Sequence, residues 1–563
     1  MLGSQGIWEP GFHGAMTLRA LALQQFSKWT DKELETLAAK LLASQVAKEP
    51  AWRKMSGSGK LPPGPVAFPI IGNTLQLTTK NLPQHIDELS EKYGSIFTIY
   101  LGSERVVVLY GYEIMKEALI GLGEEFSGRG SMPLFEKMAQ EPGIVFSNGE
   151  RWKNLRRFAL TNLRNFGMGK KSIEARIQEE THFLVERLRN THGRPFDPTL
   201  FLTHAVSNVI CSIVFGDRFD YEDKKFVTLI NIIEENGKLQ RSPWTALYNF
   251  FPTLMDYMPG PHHKLFKNAQ EFSRFVLERV NMHKESLDPS CPRDFIDAFL
   301  IKMEEERKNG QSDFNVGSLV RSTVELFIAG TGTTSVTMKF GLLILLKYPE
   351  IEEKVHEEID RVIGRSRSPC MADRSQMPYA DAVIHEIQRY INLVPLGLPH
   401  AVTRDVHLKQ YVIPKGTTIF PALKSVLYDR REFPNPEQFN PGHFLDENGA
   451  FKKSDFFMPF SAGSERVVVL YGYEIVKKAL IGLGDEFSGR GSMPIFEKSA
   501  KERGIIFSNG EQWKPLCRFA LTNLRNCGMG KKSIEERIQE ETCFLMERLR
   551  NTHGGDCFMS VGN

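Results

Sequence analysis

The chain has 563 residues, of which 25% are charged, and its formal net charge is only +3. This near-neutral balance argues against a dedicated nucleic-acid binder, which would carry a basic face or tail. No uninterrupted apolar run approaches the roughly 20 residues that span a bilayer, and the N-terminus lacks a basic-then-apolar signal pattern. The seven cysteines are irregularly spaced without a CxxC pair, which favours a reducing compartment over a disulfide framework.

Residues 1–60 are predicted to be an N-terminal extension and linker without an assigned role. Thr30 and Glu33 form a possible capping box before leucines at helical spacing, which predicts one short amphipathic helix. Its polar side mixes both charges, which favours packing on a neighbour over membrane association. A flexible stretch, Ser56–Gly59, and a stiff proline-rich hinge, Leu61–Pro65, then lead into a globular region.

The globular region is predicted to be mainly α with small β-sheets. Strand patterns occur at Ile96–Leu101 and Val106–Tyr110, and residues 150–400 are mostly helical in pattern. The strongest helical pattern runs from Gly317 to Lys347, and its apolar body predicts burial along most of its length. Gly330 and Gly332 at its centre each weaken a helix by about 1 kcal/mol relative to alanine, so a structural gain is expected there.

Small strands and an irregular meander are predicted from Pro395 to Gly463, after which the sequence repeats itself. Ser464–Gly554 copies Ser103–Gly193 at a constant offset of 361 and differs at 15 of 91 aligned positions. Stacked repeat proteins recur many times at 20–50 residues, so this is a duplicated block and not a solenoid. We therefore predict units at 61–463 and 464–554, with an unassigned tail at 555–563.

Trp152 and Arg156 are four residues apart, so on a helix they share one face. An indole N–H beside a guanidinium can hold a buried carboxylate or a cofactor propionate, although an ordinary amphipathic helix start has the same spacing. Thr333 and Thr334 follow the two central glycines. A threonine hydroxyl beside such a groove can relay protons, and the alternative is a hydroxyl bonded back to the preceding turn.

Glu386 and Arg389 are three residues apart and can pair on one helix face. An isolated ExxR is by default a solvated surface pair of little energetic value. The pair gains importance if it is buried with a third partner, and His443 in the proline-rich meander is the candidate. His400 lies where an extended strand could bring it to the edge of a cofactor, and either histidine could also be structural.

Taken in order, these motifs resemble those of a cytochrome P-450, in particular the microsomal family-2 type. The resemblance covers Leu61 to Gly463, and six motifs carry it in order: Leu61–Pro65, Trp152xxxArg156, Ala329–Thr334, Glu386xxArg389, Pro441–Phe444 and Phe460–Gly463. Members of that family are haem-thiolate monooxygenases that insert one oxygen atom of O₂ into lipophilic molecules. The electrons come from an NADPH-dependent reductase, and the proteins reside in the endoplasmic reticulum membrane.

The resemblance assigns roles to particular residues. It implies that Arg129, Trp152, Arg156 and His400 contact the haem propionates, and that Thr333 is the oxygen-activating threonine. It also implies that three residues form a buried triad that holds the meander behind the haem: Glu386, Arg389 and His443. The substrate pocket would then be lined by Gly130–Phe146, the long central helix and Val394–Ala401.

The chain departs from the family pattern in three places. Gly332 stands where an acidic residue usually precedes the threonine, and unrelated polar sequence stands where the membrane anchor is expected. The ligand loop also breaks after Gly463: Val467 occupies the expected cysteine position, or Val468 if the alignment slips by one residue. Neither valine can bind iron, so the fold is expected to stop before the proximal cysteine helix and the terminal strands.

Three interpretations follow from the junction between Gly463 and Ser464. The chain is a monooxygenase of reduced activity, or a non-catalytic relative that binds lipophiles or partners, or a sequence in which blocks from a neighbouring gene replaced the true C-terminal segment. The copied block retains Trp513 but has Cys517 in place of the matching arginine. A Cys517 thiolate would reach iron only through a rebuilt proximal loop.

Overall fold

The computed structural model describes residues 61–462, except 69–70, 75, 78–81, 140, 167–170 and 308–312. The chain divides into two units, Met1–Glu465 and Arg466–Asn563, and every described residue belongs to the first. The helix predicted within residues 1–60, Gly463, both valines of the ligand loop, and the copied block with Trp513 and Cys517 lie outside the described residues.

Helices dominate the described region, in agreement with the predicted class. In chain order they are α1 Leu82–Tyr93, α2 Tyr112–Lys116, α3 Pro133–Met138, α4 Gly149–Asn165, α5 Lys171–Arg189, α6 Pro198–Val214, α7 Lys224–Gln240, α8 Pro243–Phe250, α9 Pro252–Met255, α10 His262–Glu285, α11 Phe295–Arg307, α12 Val316–Lys347, α13 Pro349–Val362, α14 Pro378–Ile391 and α15 Lys424–Leu427. A π-helical turn, Glu117–Gly121, continues α2, and 3₁₀ turns occur at Met371–Gln376 and Pro441–Phe444.

Two small sheets complete the architecture. The strands are β1 Ile96–Leu101, β2 Glu104–Tyr110, β3 Gly128–Arg129, β4 His400–Ala401, β5 Val406–Leu408, β6 Tyr411–Ile413 and β7 Thr418–Ala422. The larger sheet has the order β1-β2-β7-β4-β3, in which only the β2–β7 pair is parallel, while β5 and β6 form a separate hairpin. Gly102 in the two-residue β1–β2 turn has a φ of +61°, which glycine adopts without strain. Ser103 is the second residue of this turn, and the copied block begins at its counterpart, Ser464.

The long helix α12 organises the core. Asn315 caps it through a capping box, because its side chain accepts from Ser318 N and the Ser318 hydroxyl accepts from Asn315 N. Its first half is buried against α6, α10 and α11, with Leu319 and Phe327 fully enclosed. Gly341 and Ile344 continue the packing towards α13 and α14.

The prediction that α12 is buried along most of its length is wrong for its second half. Five large apolar side chains there are exposed: Met338, Phe340, Leu342, Leu343 and Leu346. We call these five residues the apolar strip. An apolar sequence pattern shows that a helix face can pack against other apolar elements. Its side chains are buried only where such elements lie against that face.

His204 on α6 provides a pH-dependent contribution to stability. Its Nδ1 accepts a hydrogen bond of 2.9 Å from Arg187, which requires a neutral imidazole. Burial, reinforced by the charge of Arg187, lowers the pKa of His204 to about 4. In the unfolded chain the pKa is about 6.5, so between these values the unfolded state binds more protons and stability falls as the pH falls.

We therefore expect the free energy of unfolding to drop by up to about 2 kcal/mol from this residue between pH 7 and pH 5. A His204→Gln variant keeps an acceptor for Arg187 but cannot be protonated, so its stability should depend less on pH. Urea denaturation at both pH values measures the difference. Equal pH slopes for the two proteins would contradict the assignment.

Candidate functional site

Arg129 and His400 lie directly opposite each other in the antiparallel β3–β4 pair. Arg129 donates from Nε to the Val145 carbonyl and from Nη1 to the Pro399 carbonyl, both at 3.0 Å. His400 Nδ1 lies 2.9 Å from the Phe126 carbonyl oxygen and donates to it, which leaves Nε2 for another partner. The strand pairing therefore places a guanidinium and an imidazole side by side.

The close strand approach at this point depends on glycine. A Cβ on Gly128 would lie 2.6 Å from the Ala401 carbonyl oxygen, and one on Gly130 would lie 2.8 Å from the His400 carbonyl oxygen. Backbone atoms cannot move aside for such a contact, so larger residues would push β3 away from β4. The two glycines thus fix the position of Arg129 between them.

Burial sets the electrostatics of this pair. It lowers the pKa of Arg129, although the Glu325 carboxylate opposes the shift. Burial and then the charge of Arg129 lower the pKa of His400, so its imidazole is neutral near pH 7. Within the described residues the Arg129 guanidinium donates only to backbone carbonyl groups and forms no salt bridge. A partly buried cation of this kind suits a carboxylate ligand, and the residues therefore fit the propionate side of a haem.

Trp152 and Arg156 lie on one face of α4, as their spacing predicts. The Arg156 guanidinium carbon is 5.4 Å from the centroid of the Trp152 ring, within cation–π distance. The start of α4 is tied to β3 because Asn148 Oδ1 accepts a 2.5 Å hydrogen bond from Arg129 N. The helix that carries Trp152 and Arg156 is thereby held beside the strand that carries Arg129.

The glycines of α12 have different surroundings. A Cβ on Gly330 would lie 2.7 Å from Ile210 Cδ1 on α6, whereas a Cβ on Gly332 would meet no atom within 4 Å. Thr333 is exposed, and its hydroxyl donates to the Ala329 carbonyl at 2.8 Å. The hydroxyl is therefore bonded back to the preceding turn of the helix, which was the alternative to a proton-relay role. The exposed Thr333 side chain lies beside the open space at Gly332.

Replacing Gly332 by alanine is expected to raise the free energy of unfolding by about 0.5–1 kcal/mol, because alanine loses less backbone entropy on folding and enters open space. The matched change Gly330→Ala gains the same entropy but must displace the end of the Ile210 side chain. It should therefore stabilise less, or destabilise. Urea denaturation of both variants tests this, and a Gly332→Ala variant less stable than Gly330→Ala would refute it.

Glu386, Arg389 and His443 come together in a buried cluster. Arg389 donates to both Glu386 carboxylate oxygens, from Nε and Nη2, at 2.7 Å each. His443 Nδ1 lies 3.2 Å from both of those oxygens, and its Nε2 lies 2.8 Å from the Pro434 carbonyl oxygen. The Glu386 and Arg389 side chains are completely inaccessible to solvent. The ExxR pair is thus an interior pair with a third partner, and it joins α14 to the meander.

Sequence reasoning missed a second buried pair, Arg321 and Glu325 on α12. Arg321 Nε donates to Glu325 Oε1 at 2.8 Å, and Glu325 Oε2 accepts from Val145 N at 2.8 Å. Burial raises the pKa of Glu325, and Arg321 opposes that shift. The only sequence signal is an i,i+4 Arg/Glu spacing, which also occurs on many exposed helices.

The described part of the meander ends at Ala462, in the approach to the ligand loop. Phe456 stacks on Tyr112 with 4.1 Å between ring centroids, while Phe460 is 81% exposed. The described cysteines are Cys211 on α6, Cys291 between α10 and α11, and Cys370 before a 3₁₀ turn. None of these three follows the Phe456–Ala462 loop, so within the described residues no sulfur occupies the place of the family's iron ligand.

Comparison with known proteins identifies the family. The sequence model of the family described as Cytochrome P450 matches residues 62–466, and a second match falls on residues 463–560. Cytochrome P450 2H2 of Gallus gallus is 64% identical over 413 residues, which are 73% of this chain and 84% of the relative. Cytochrome P450 2C3 of Oryctolagus cuniculus is 58% identical over 417 residues, which are 74% of this chain and 85% of the relative.

The fold is mainly helical with small sheets, and the comparisons identify a haem monooxygenase of the cytochrome P450 type. The chain belongs to the cytochrome P450 family, and its relatives place it with the microsomal family-2 type. Haem is therefore the cofactor that the family implies, and the class acts on small molecules with electrons from a redox partner. The predicted fold class and family are confirmed.

Proposed function

We propose that residues 61–463 form the haem-propionate and substrate-binding part of a monooxygenase that acts on small lipophilic molecules. The observation that carries this proposal is the partly buried Arg129–His400 pair, whose guanidinium donates only to carbonyl groups in the described region. With Trp152 and Arg156, this pair would hold the haem propionates. Haem would supply the site for O₂ activation, and Thr333 would be the oxygen-activating threonine beside it.

The triad of Glu386, Arg389 and His443 would hold the meander behind the haem. Gly130–Phe146 and Val394–Ala401 would line the substrate pocket. Because Val467 or Val468 stands at the axial position, we propose that this chain has impaired monooxygenase activity. A thiolate pushes electron density onto iron and favours O–O cleavage, and valine offers no electron pair.

The first block, and not its copy, suits the position that it fills in the fold. Glu117 pairs with Lys409, but the copy has a lysine at the matching position, 478. Asn154 donates to Asp313 at 2.8 Å, whereas the copy has Pro515, which breaks the hydrogen-bond ladder of a helix. We therefore propose that residues 464–554 are a duplicate outside its native place, with 555–563 as an unassigned tail.

An NADPH-dependent reductase and the endoplasmic reticulum membrane are proposed as partner and location, on the strength of the microsomal relatives. Among the described residues, α12 alone is long and apolar enough to cross a membrane. Its first half is packed in the core and contains the buried Arg321–Glu325 pair, as in a core helix.

A non-catalytic, lipophile-binding relative is the second candidate, and the valine at the axial position favours it. The test is to express the chain, reconstitute it with haem, reduce it and add carbon monoxide. The proposal of impaired activity predicts no thiolate-type, red-shifted Soret band, and such a band would refute it. Sequencing the transcript across Gly463–Ser464 tests whether a cysteine-bearing segment follows Gly463 instead of the copied block.

A further inference from the structure

His283, in the last turn of α10, is a buried histidine whose two ring nitrogens both face oxygen acceptors. Nδ1 lies 2.8 Å from the Arg279 carbonyl oxygen, and Nε2 lies 2.7 Å from Asp294 Oδ2. The side chains of His283 and Asp294 are 9% and 1% exposed. A neutral imidazole has a single N–H, so it can donate to only one of these oxygens. The pair therefore holds an additional proton, and the ring is positively charged.

Asp294 uses its other carboxylate oxygen to begin α11. Oδ1 accepts a hydrogen bond of 2.9 Å from Asp297 N, as the capping residue of a helix does. Gly216, which follows α6, leaves room for this carboxylate, because a Cβ there would lie 2.7 Å from Asp294 Oδ2. One buried aspartate thus caps α11 and binds the last turn of α10.

The surroundings of His283 favour the charged ring. Burial alone would lower the pKa of His283, but the hydrogen bond and charge of Asp294, together with the Arg279 carbonyl, outweigh burial and raise this pKa. A positive charge is also favoured at the C-terminal end of a helix. The unfolded value is about 6.5, so the stabilisation is complete below that pH and is lost as the pH rises through the higher folded value.

The other charges around the cluster have partners of their own. Asp297 accepts from Arg293 Nε at 2.6 Å on one oxygen and from Nη2 at 2.9 Å on the other. The hydrogen bond of Asp297 raises the pKa of Arg293, and the charge of Asp217 adds to that shift. The Arg279 guanidinium lies over the Phe219 ring, 4.5 Å from its centroid. Asp294 is therefore the acid that pairs directly with the imidazolium.

A proton fits this cluster better than a metal ion does. His283, Asp294 and Asp297 have the composition of a metal site. However, Arg293 already holds both oxygens of Asp297. Two ligands that each lie about 2 Å from a tetrahedral zinc stand farther apart than the 2.7 Å between His283 Nε2 and Asp294 Oδ2.

The helix that Asp294 caps packs directly on α4. Phe295 follows the capping residue, and its ring centroid lies 5.8 Å from that of Phe158 on α4. Phe299, one turn later, lies 5.2 Å from the same ring in an edge-to-face contact. The position of the first turn of α11 therefore determines how α11 packs on α4.

We propose that His283 and Asp294 form a proton-dependent clamp, which holds the start of α11 on α10 and opens when the ring loses its proton at alkaline pH. With a neutral ring, Nε2 and Oδ2 are two buried acceptors that face each other without a proton, which is costly. Asp294 then turns away, the cap of α11 is lost, and Phe295 loosens from Phe158. The clamp is a property of the fold and requires no haem.

The test is amide hydrogen exchange, followed by mass spectrometry, on the purified full-length chain between pH 6 and pH 9. Each rate is compared with the intrinsic rate at the same pH. Protection in the first turn of α11 should fall by up to about tenfold for each pH unit above about 6.5, until the ring is neutral.

Two variants remove the titration in different ways. Asp294→Asn keeps an oxygen for Asp297 N and donates its amide to a neutral His283 ring, so the protection of α11 should hardly change with pH. His283→Gln removes the titrating group itself and should also abolish the pH dependence. Because Asp294→Asn retains the helix cap, it gives a result even if His283→Gln does not fold.

His85→Gln is the matched control, because His85 also lies beside an acid, Glu88, at 3.3 Å, but these side chains are 27% and 61% exposed. It should leave the pH dependence of α11 unchanged. Constant protection in the unmodified chain, or a pH dependence that survives in Asp294→Asn and His283→Gln, would overturn the proposal. A gain in protection on adding zinc would also overturn it, since a metal ion would then occupy the cluster.

Discussion

Replacing Arg389 by methionine is expected to lower the free energy of unfolding by about 3–5 kcal/mol, because it leaves the Glu386 carboxylate uncompensated in the interior. Arg389 also donates to the Leu427 and Pro436 carbonyls at 3.0 and 2.9 Å. Its removal therefore breaks bonds from α14 to two separate parts of the following chain. Urea denaturation monitored by far-UV circular dichroism measures the loss, and soluble yield provides a second readout.

The control is Arg430→Met on the surface of the same meander. Arg430 pairs with Glu437 at 3.0 Å, and the two side chains are 78% and 60% exposed. An exposed pair contributes about 0–1 kcal/mol, so this variant should remain close to the parent chain. Similar losses for Arg389→Met and Arg430→Met would show that the buried cluster has no special role in stability.

Restoring a cysteine-bearing tail is expected to convert a chain without a thiolate signal into one with nearly stoichiometric thiolate-ligated haem. The graft would replace everything after Gly463 with the corresponding segment of Cytochrome P450 2H2 of Gallus gallus, which is 64% identical in the matched region. The anionic sulfur would supply the axial ligand, and the residues proposed to hold the propionates belong to the part of the chain that the graft retains. The red-shifted Soret band of the reduced carbon monoxide complex measures the result.

A second graft that carries valine at the axial position is the control, and it should give no red-shifted band. The two grafts share every other residue, so the comparison isolates the sulfur ligand. If the cysteine graft also fails to bind haem, the assignment of Arg129, Trp152, Arg156 and His400 to the propionates is wrong.

Local patterns predicted the elements that depend on local forces. Ile96–Leu101 was expected as a strand from its apolar, β-branched composition, and β1 has these bounds. The long helix begins at Val316, one residue before its predicted start, because the Asn315 capping box extends it. The parallel pairing of β2 with β7 joins residues more than 300 positions apart, and periodicity contains no information about such a partner.

Site residues could be predicted from the sequence where their chemical type indicates their role. They could not be predicted where the role depends on burial. Glu386 and Arg389 have the spacing of a surface pair, and only their enclosure with His443 makes them an interior cluster. Arg321 and Glu325 have an equally ordinary spacing. Their burial depends on Gly143, which lies about 180 positions earlier in the chain and accommodates the Glu325 carboxylate.

The apolar strip on α12 has a consequence for how a cell would handle this protein. Its five large side chains expose the kind of surface that folded monomers rarely leave uncovered, and Leu346 is 75% exposed. Chaperones and quality-control proteases act on chains that expose such surface. The cellular abundance of this protein would therefore depend on refolding and degradation by these systems as well as on synthesis. Mild detergent during purification should therefore raise the recovery of this chain.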